Sequence, residues 1–357
     1  EGFTYTKEII TPCYKNRIID GNIIDEVSGE IITDSINNNG MCYNKSTIVD
    51  IINSTNINLY LDPFTRIPFS EDIIWKILEL LLQKFSADKL LIKMSSGGYY
   101  NIVKYLIDKG CNINFKNGNA LIYASKNNHI DIIKLLIENG VDVNLQEGEA
   151  LAYAAKNGNL DIVKLLVESD IDINSEYGKA LIIASSNGFL DIVEYLIEKG
   201  ANVNSQKDKA LMEASRNDHL NIVKLLIKHG VNINSQKSQA LIVASINGNL
   251  NVVKYLIEKG IDINVRNGLA LIYASQYGYL NVVKYLIENN ANINSNKGEP
   301  LTIASENGHL DIVKYLIENG ANVNLQNGKA LIDASKKGYL EIVKLLLENG
   351  ADPNMNK

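Results

Sequence analysis

Residues 270–294 read ALIYASQYGYLNVVKYLIENNANIN, from Ala270 to Asn294. This stretch decides the fold, because the chain repeats it nine times between Leu90 and Asn354 at a spacing of thirty residues. Ala120, Ala150, Ala180, Ala210, Ala240, Ala270 and Ala330 hold one register, each followed by Leu. Pro300 takes that place once, and Leu90 opens a worn first copy. A period held so strictly is the mark of stacked repeats, each leaning on its neighbours, and not of one domain around one pocket.

Within a copy, Leu271, Ala274 and Ser275 predict a short helix with small residues on one side, broken at Gly278. Leu280, Val283, Leu286 and Ile287 then recur at helical spacing, so a second helix buries that face. Gly140, Gly200, Gly260 and Gly320 follow their second helices and suit the left-handed residue that closes a helix. Asn290 tolerates the same conformation, whereas Asp170 there costs about 1 kcal/mol. Asn264-Val265-Arg266-Asn267-Gly268-Leu269 is polar and Gly-marked, a tight connector to the next pair. Two short helices cannot bury both faces alone, so the copies form a solenoid.

These residues resemble the ankyrin repeat. Asn307-Gly308-His309-Leu310-Asp311-Ile312-Val313-Lys314-Tyr315-Leu316-Ile317-Glu318-Asn319-Gly320-Ala321-Asn322-Val323-Asn324 is similar to the second half of that family's consensus, and Pro300-Leu301-Thr302-Ile303-Ala304 to the start of its first helix. The family repeats at about 33 residues. These copies are short in the connector, and Ala-Leu-Ile usually stands for the family's Thr-Pro-Leu-His. The resemblance therefore implies shortened β-hairpin fingers with less reach. It covers about three-quarters of the chain.

The net charge of −6 and pI near 5.4 imply no general attraction to nucleic acid or anionic membrane. Abundant Ile, Asn, Lys and Tyr, against 5 Pro and 1 Trp, resemble the composition of giant-virus ankyrin proteins. No basic segment with an apolar run opens the chain, and no run reaches the ~18 apolar residues of a membrane span. Cys13, Cys42 and Cys111 lie far apart without metal-ligand spacing. The chain reads as cytoplasmic (host cytoplasm for a viral protein), with no cofactor and no metal.

Ahead of the repeats the text changes. Turn signals at Ser28-Gly29 and Asn39-Gly40 flank a short β run, and a helix is expected around Lys45 to Ile52. Asp62-Pro63-Phe64-Thr65-Arg66-Ile67-Pro68-Phe69 follows as a loop, and Ser70-Glu71-Asp72 starts a helix over Ile73–Phe85 that packs on the first repeat. That loop, with Asn39-Gly40-Met41-Cys42-Tyr43-Asn44-Lys45-Ser46-Thr47-Ile48 before it, resembles the U-box, the zinc-free relative of the RING domain in ubiquitin ligases. The first family phrase matches less well, with Glu26 and Ser35 in place of its prolines. The resemblance implies that Val27, Ile51 and Pro63 form an apolar groove for a ubiquitin-conjugating enzyme. It also implies that Arg66 holds the thioester in a reactive pose, with no nucleophile on this chain. A small α+β capping domain is the alternative. The expected fold is mainly α: an unassigned segment 1–20, a U-box-like α+β domain 21–86, and an ankyrin array 87–357 of about nine helix pairs.

Two patterns invite chemistry and read better as structure. His129, His219 and His309 share a register but lie three copies apart, too far to share a metal. Lys104, Lys134, Lys164, Lys224, Lys254, Lys284, Lys314 and Lys344 form a column, yet Glu138, Glu168, Glu258, Glu288, Glu318 and Glu348 follow four residues after theirs, the spacing of helix-surface charge pairs. No phosphate-cradling loop, Ser-His-Asp order or HExxH motif appears.

Recognition falls to positions that vary between copies. On the first helix these are Lys93, Tyr123, Tyr153, Ile183, Glu213, Val243, Tyr273, Ile303 and Asp333, on what the ankyrin resemblance makes the concave face. Apolar residues repeated on an exposed face are interface material. Tyr123, Tyr153 and Ile183 are the first choice as anchors for a protein target, and Tyr273 the second. The connectors vary too, at Phe115, Glu147, Tyr177, Lys207 and Arg266. Two functions follow: a ligase that recruits a target through the repeats and a conjugating enzyme through the N-terminal module, or a non-catalytic scaffold that sequesters a partner.

Overall fold

The structure is a computed structural model. It describes residues 85–355 (backbone only at 236 and 237), the helical residues 78, 79, 81 and 82, and the backbone of five short strands among residues 10–44. The chain divides into two compact units, residues 1–150 and 151–357, with the helix Leu145–Asn157 at the division.

In the first unit, β1 (Ile10–Pro12), β5 (Met41–Asn44) and β4 (Ser35–Asn38) form an antiparallel sheet in that order, while β2 (Asn16–Ile19) pairs with β3 (Asn22–Asp25). Asn38 faces Met41 across β4 and β5, so the pairing brackets the Asn39-Gly40 dipeptide that the sequence marks as a turn. Leu78 and Leu81 are buried. The rest of the expected Ile73–Phe85 helix, and the Lys45–Ile52 helix, lie outside the described residues.

From residue 87 the described chain is helix pairs, nine among the described residues, from Ala87–Gly97 with Tyr100–Asp108 to Leu325–Lys337 with Leu340–Glu348. In Val265–Gln276 the residues Ala270, Leu271 and Ala274 are fully buried, and in Leu280–Glu288 so are Val282, Val283 and Leu286. Small residues on the first helix let copies approach. In the second unit the first helices Ser175–Asn187, Ser205–Arg216, Ser235–Ile246, Val265–Gln276, Ser295–Glu306 and Leu325–Lys337 each pack against the next.

The connector corrects one expectation. No β-hairpin finger joins the copies among the described residues of the repeats; seven junctions are each one turn of left-handed helix. Arg266 (φ 49, ψ 44), Asn267 (φ 58, ψ 38) and Gly268 (φ 79, ψ 30) are consecutive left-handed residues, and Glu176-Tyr177-Gly178 and Asn296-Lys297-Gly298 repeat the pattern. Only five residues separate Asn264 from Ala270. The left-handed turn uses three of them, and the two that remain are too few to pair as strands. The conformation costs roughly 1–2 kcal/mol per non-Gly residue, and hydrogen bonds offset it. Gly268 N–H donates to the Asn264 carbonyl at 3.1 Å. In the first unit Gln146 Nε2 donates to the Asn117 carbonyl at 3.0 Å and to Asn119 Oδ1 at 2.6 Å, clasping the preceding turn.

Asparagine side chains stitch the copies together. Asn264 Oδ1 accepts from Asn292 N–H at 2.7 Å, and its Nδ2 donates to the Asn290 carbonyl at 3.2 Å. Asn174, Asn204, Asn234, Asn294 and Asn324 each accept from the next copy in the same way, at 2.8–3.2 Å. Each Asn-x-Asn motif is thus a bracket between neighbours, and its first residue caps its third, as Asn292 Oδ1 does for Asn294 N–H at 3.0 Å.

The histidines serve the same seam. His309 Nε2 donates to the Gln276 carbonyl at 2.8 Å, and the ring covers Gly278 of the preceding copy. His219 does so with Ser186 and Gly188, and His129 with Ser96 and Gly98 in the first unit. In the same register Phe189, Tyr279 and Tyr339 cover Gly158, Gly248 and Gly308, and Asn249 donates to the Ser215 carbonyl.

Four lysines of the column have an aromatic partner besides any acid four residues on. The ammonium groups of Lys164, Lys224, Lys254 and Lys284 lie over the rings of Tyr195, Tyr255, Tyr285 and Tyr315 in the next copy, 5.5–5.9 Å from the centroids. The acids lie beside the same rings: burial, then Glu168, raises the Tyr195 hydroxyl pKa, and burial, then Glu288, raises that of Tyr315. At these four copies the column is an inter-copy contact.

Candidate functional site

Once the seam residues are placed, the first-helix register of Tyr123 and Tyr273 is what varies. Its exposure follows from helix geometry: Ala270, Leu271 and Ala274 face the neighbours, and residue 273 lies off that side. In the first unit Tyr123 is 37 % exposed, with Lys126 Nζ 5.8 Å from its ring centroid. Lys93, in the same register, is half-buried, and desolvation lowers its pKa.

In the second unit Tyr153, Ile183, Tyr273 and Ile303 are half-buried. Val243 departs from the expected exposure: at 3 % it is part of the core. Glu213 is half-buried and ion-paired with Arg216 at 3.6 Å, and Asp333 is half-buried in the last described copy. The first helices on either side of the one that carries Tyr273 pack against it and hold Val243 and Ile303 in its register. Ile183 is followed by the charged Glu213–Arg216 pair.

The connector tips add a second row. Lys116, Glu147, Lys207 and Arg266 are exposed and Phe115 is half-buried. Tyr177 is 77 % exposed, the most open large apolar side chain among the described residues. Asp208 differs: it fills a register that is Gly in most copies, is buried at φ 63, and has its pKa raised by burial.

One aromatic residue escaped the sequence reading. Tyr277 is 50 % exposed and stacks on Tyr273, with centroids 6.5 Å apart and planes 23° from parallel. The available signal was its register, which reads Asn in six other copies.

Val27, Ile51, Pro63 and Arg66 lie outside the described residues. Among the described residues no group of three or more His, Cys, Asp or Glu could hold a metal, and no helix is long and apolar enough to cross a membrane. Cys111 is half-buried, and burial followed by Asp88 pushes its thiol up to about 11, away from nucleophilic use.

Models of the family described as "Ankyrin repeats (3 copies)" match residues 72–147, 146–207, 204–267 and 271–357. A search of curated proteins finds no match. Helix pairs at a thirty-residue period, an Asn and His seam, and family matches over most of its length show that this chain belongs to the ankyrin-repeat family.

Proposed function

We propose that this chain is a protein-binding scaffold whose first-helix face grips a partner, with Tyr123, Tyr153, Ile183 and Tyr273 as anchors. The observation that carries the reading is the contrast within one copy. The buried Ala and Leu of the first helix and the bracketing Asn recur in most copies, while the first-helix register runs through Tyr, Ile, Glu, Val and Asp and, at Tyr and Ile, keeps large apolar side chains partly open to solvent. Aromatic anchors of this kind dominate binding energy at protein interfaces. The experiment is affinity capture with the full chain, comparing wild type, Tyr153→Glu/Ile183→Glu, and the second-helix variant Lys344→Gln. Partners held by wild type and Lys344→Gln are lost by the double variant; equal recovery by all three would reject the face.

A second reading adds ubiquitin-ligase activity through residues 21–86. Its support is the resemblance at Asp62–Phe69 and the antiparallel β4–β5 pair around Asn39-Gly40. In it Val27, Ile51 and Pro63 receive a ubiquitin-conjugating enzyme and Arg66 positions the thioester. Autoubiquitination with a panel of conjugating enzymes tests it: chains that form with wild type and collapse in Arg66→Ala support a ligase, and silence across the panel leaves the scaffold.

A further inference from the structure

The end of the first helix carries Asn in six copies: Asn127, Asn157, Asn187, Asn217, Asn247 and Asn307. The amide has structural work there. Asn187, Asn247 and Asn307 donate Nδ2 to the carbonyl four residues earlier, at 3.0, 2.8 and 2.8 Å. Asn127 and Asn217 reach the carbonyls of Ser96 and Ser186 in the preceding copy, at 2.7 and 3.0 Å. Tyr277 stands in this register without an amide to do the same. It places a half-exposed ring beside Tyr273 instead. A position that gives up a helix-closing hydrogen bond for an open aromatic surface departs from its own local rule, and such departures concentrate where a protein meets a ligand.

Charge says what kind of ligand. Tyr123 has a cation of its own, Lys126, three residues on. The matching place behind Tyr273 is the neutral Gln276. Among the described residues no ammonium or guanidinium lies over Tyr273 or Tyr277, although lysines cover several other tyrosines. The next first helix, Ser295–Glu306, packs against this one and carries Glu306 in the register of Gln276. That column reads Lys126, Lys156, Ser186, Arg216, Ile246, Gln276, Glu306 and Lys336, so its acid falls in the copy beside the tyrosine pair. Two electron-rich ring faces with a carboxylate in the adjoining copy complement a positive charge.

We propose that Tyr273, Tyr277 and Glu306 form a subsite for a cationic side chain, arginine or lysine, of the protein partner. The inference rests on the reading that the first-helix face binds protein, and it adds the chemistry of one contact.

The test is a titration of the full chain with N-acetyl-arginine amide, followed by the ring resonances of labelled tyrosines. N-acetyl-leucine amide and N-acetyl-glutamate amide serve as comparators. The resonances that vanish in Tyr273→Ile and Tyr277→Asn are expected to move saturably with the arginine amide, with affinity about threefold weaker in Glu306→Gln. Neither comparator should move them as far. Tyr277→Asn installs the residue of six sister copies, so its melting temperature should match or exceed wild type. A lowered melting temperature would make Tyr277 a structural residue and overturn the proposal, as would the absence of a saturable arginine shift. A leucine response as large as the arginine response would also overturn it, and would point to an apolar anchor. Partner capture scored by Tyr153 and Ile183 stands apart from all these outcomes, so a failed subsite is distinguishable from a failed face.

Discussion

Two sides of the same copy use their residues in opposite ways. On the second-helix side of unit 151–357, Lys254 lies over Tyr285 and Lys284 over Tyr315, and in the turns His309 caps Gly278 and Asn264 brackets Asn292. Every one of these groups is committed to the adjacent copy. On the first-helix side, Ile183, Glu213, Tyr273, Ile303 and Asp333 hold one register with apolar, aromatic and acidic side chains in turn. A stack of like units keeps much of each junction alike, because each copy satisfies backbone groups of the next. It is free only where side chains meet solvent.

That contrast can be broken by substitution, and the largest effects belong to the seam. Gly278 (φ 82) has His309 Cε1 2.8 Å from where a Cβ would stand, so Gly278→Ala adds a steric clash to backbone strain. Its expected cost is roughly 2–3 kcal/mol in equilibrium denaturation. Gly260 has nearly the same backbone, φ 83, with nothing within 4 Å. Gly260→Ala should cost about 1 kcal/mol, the strain alone. Equal losses for the two would mean that the histidine seal contributes nothing.

A smaller effect comes from the asparagine bracket. Asn264→Ala removes the acceptor of Asn292 N–H and the donor to the Asn290 carbonyl, both near the surface, and should cost about 1 kcal/mol. Asn264→Asp retains the acceptor and should recover part of the loss in the same assay.

Asp208 sharpens the comparison from the other direction, as a seam position holding an unsuitable residue. Asp208→Gly relieves a left-handed non-Gly backbone and should stabilise by about 1 kcal/mol. One carboxylate oxygen of Asp208 is buried without a partner, and burial raises its pKa in the folded state. The folded chain therefore holds this proton more tightly than the unfolded chain. Its contribution to stability is fully present below the unfolded carboxylate range and is lost as pH rises through the folded pKa. The advantage of Asp208→Gly should thus be larger at pH 7 than at pH 4, which denaturation at the two pH values measures.

The helix pairs were legible from sequence because burial imposes a strict period on Leu280, Val283, Leu286 and their counterparts. The connectors were not. Arg266 and Asn267 adopt left-handed geometry that their side chains do not favour, and what makes it tolerable is a set of contacts between copies, such as Gln146 across the turn at Asn117. The aromatic partners of the lysines were missed for the same reason: spacing within one helix points to the acid four residues on, whereas packing brings a ring of the next copy within 5.5–5.9 Å of Lys164, Lys224, Lys254 and Lys284. Val243 looked exposed by register and is buried. Tyr277 was visible throughout, but its meaning required knowing what Asn247 and Asn307 do in its place. The anchors Tyr153 and Ile183 remain a proposal, as do Val27, Ile51, Pro63 and Arg66.

The division of labour between seam and face is tested most directly by one variant that changes only the face. Tyr153→Glu/Ile183→Glu/Tyr273→Glu places in three copies the residue type that Glu213 already holds in that register. Its urea midpoint should correspond to a loss of no more than about 1 kcal/mol, while partner capture disappears. A fall of several kcal/mol would show that these side chains belong to the core and would contradict the account.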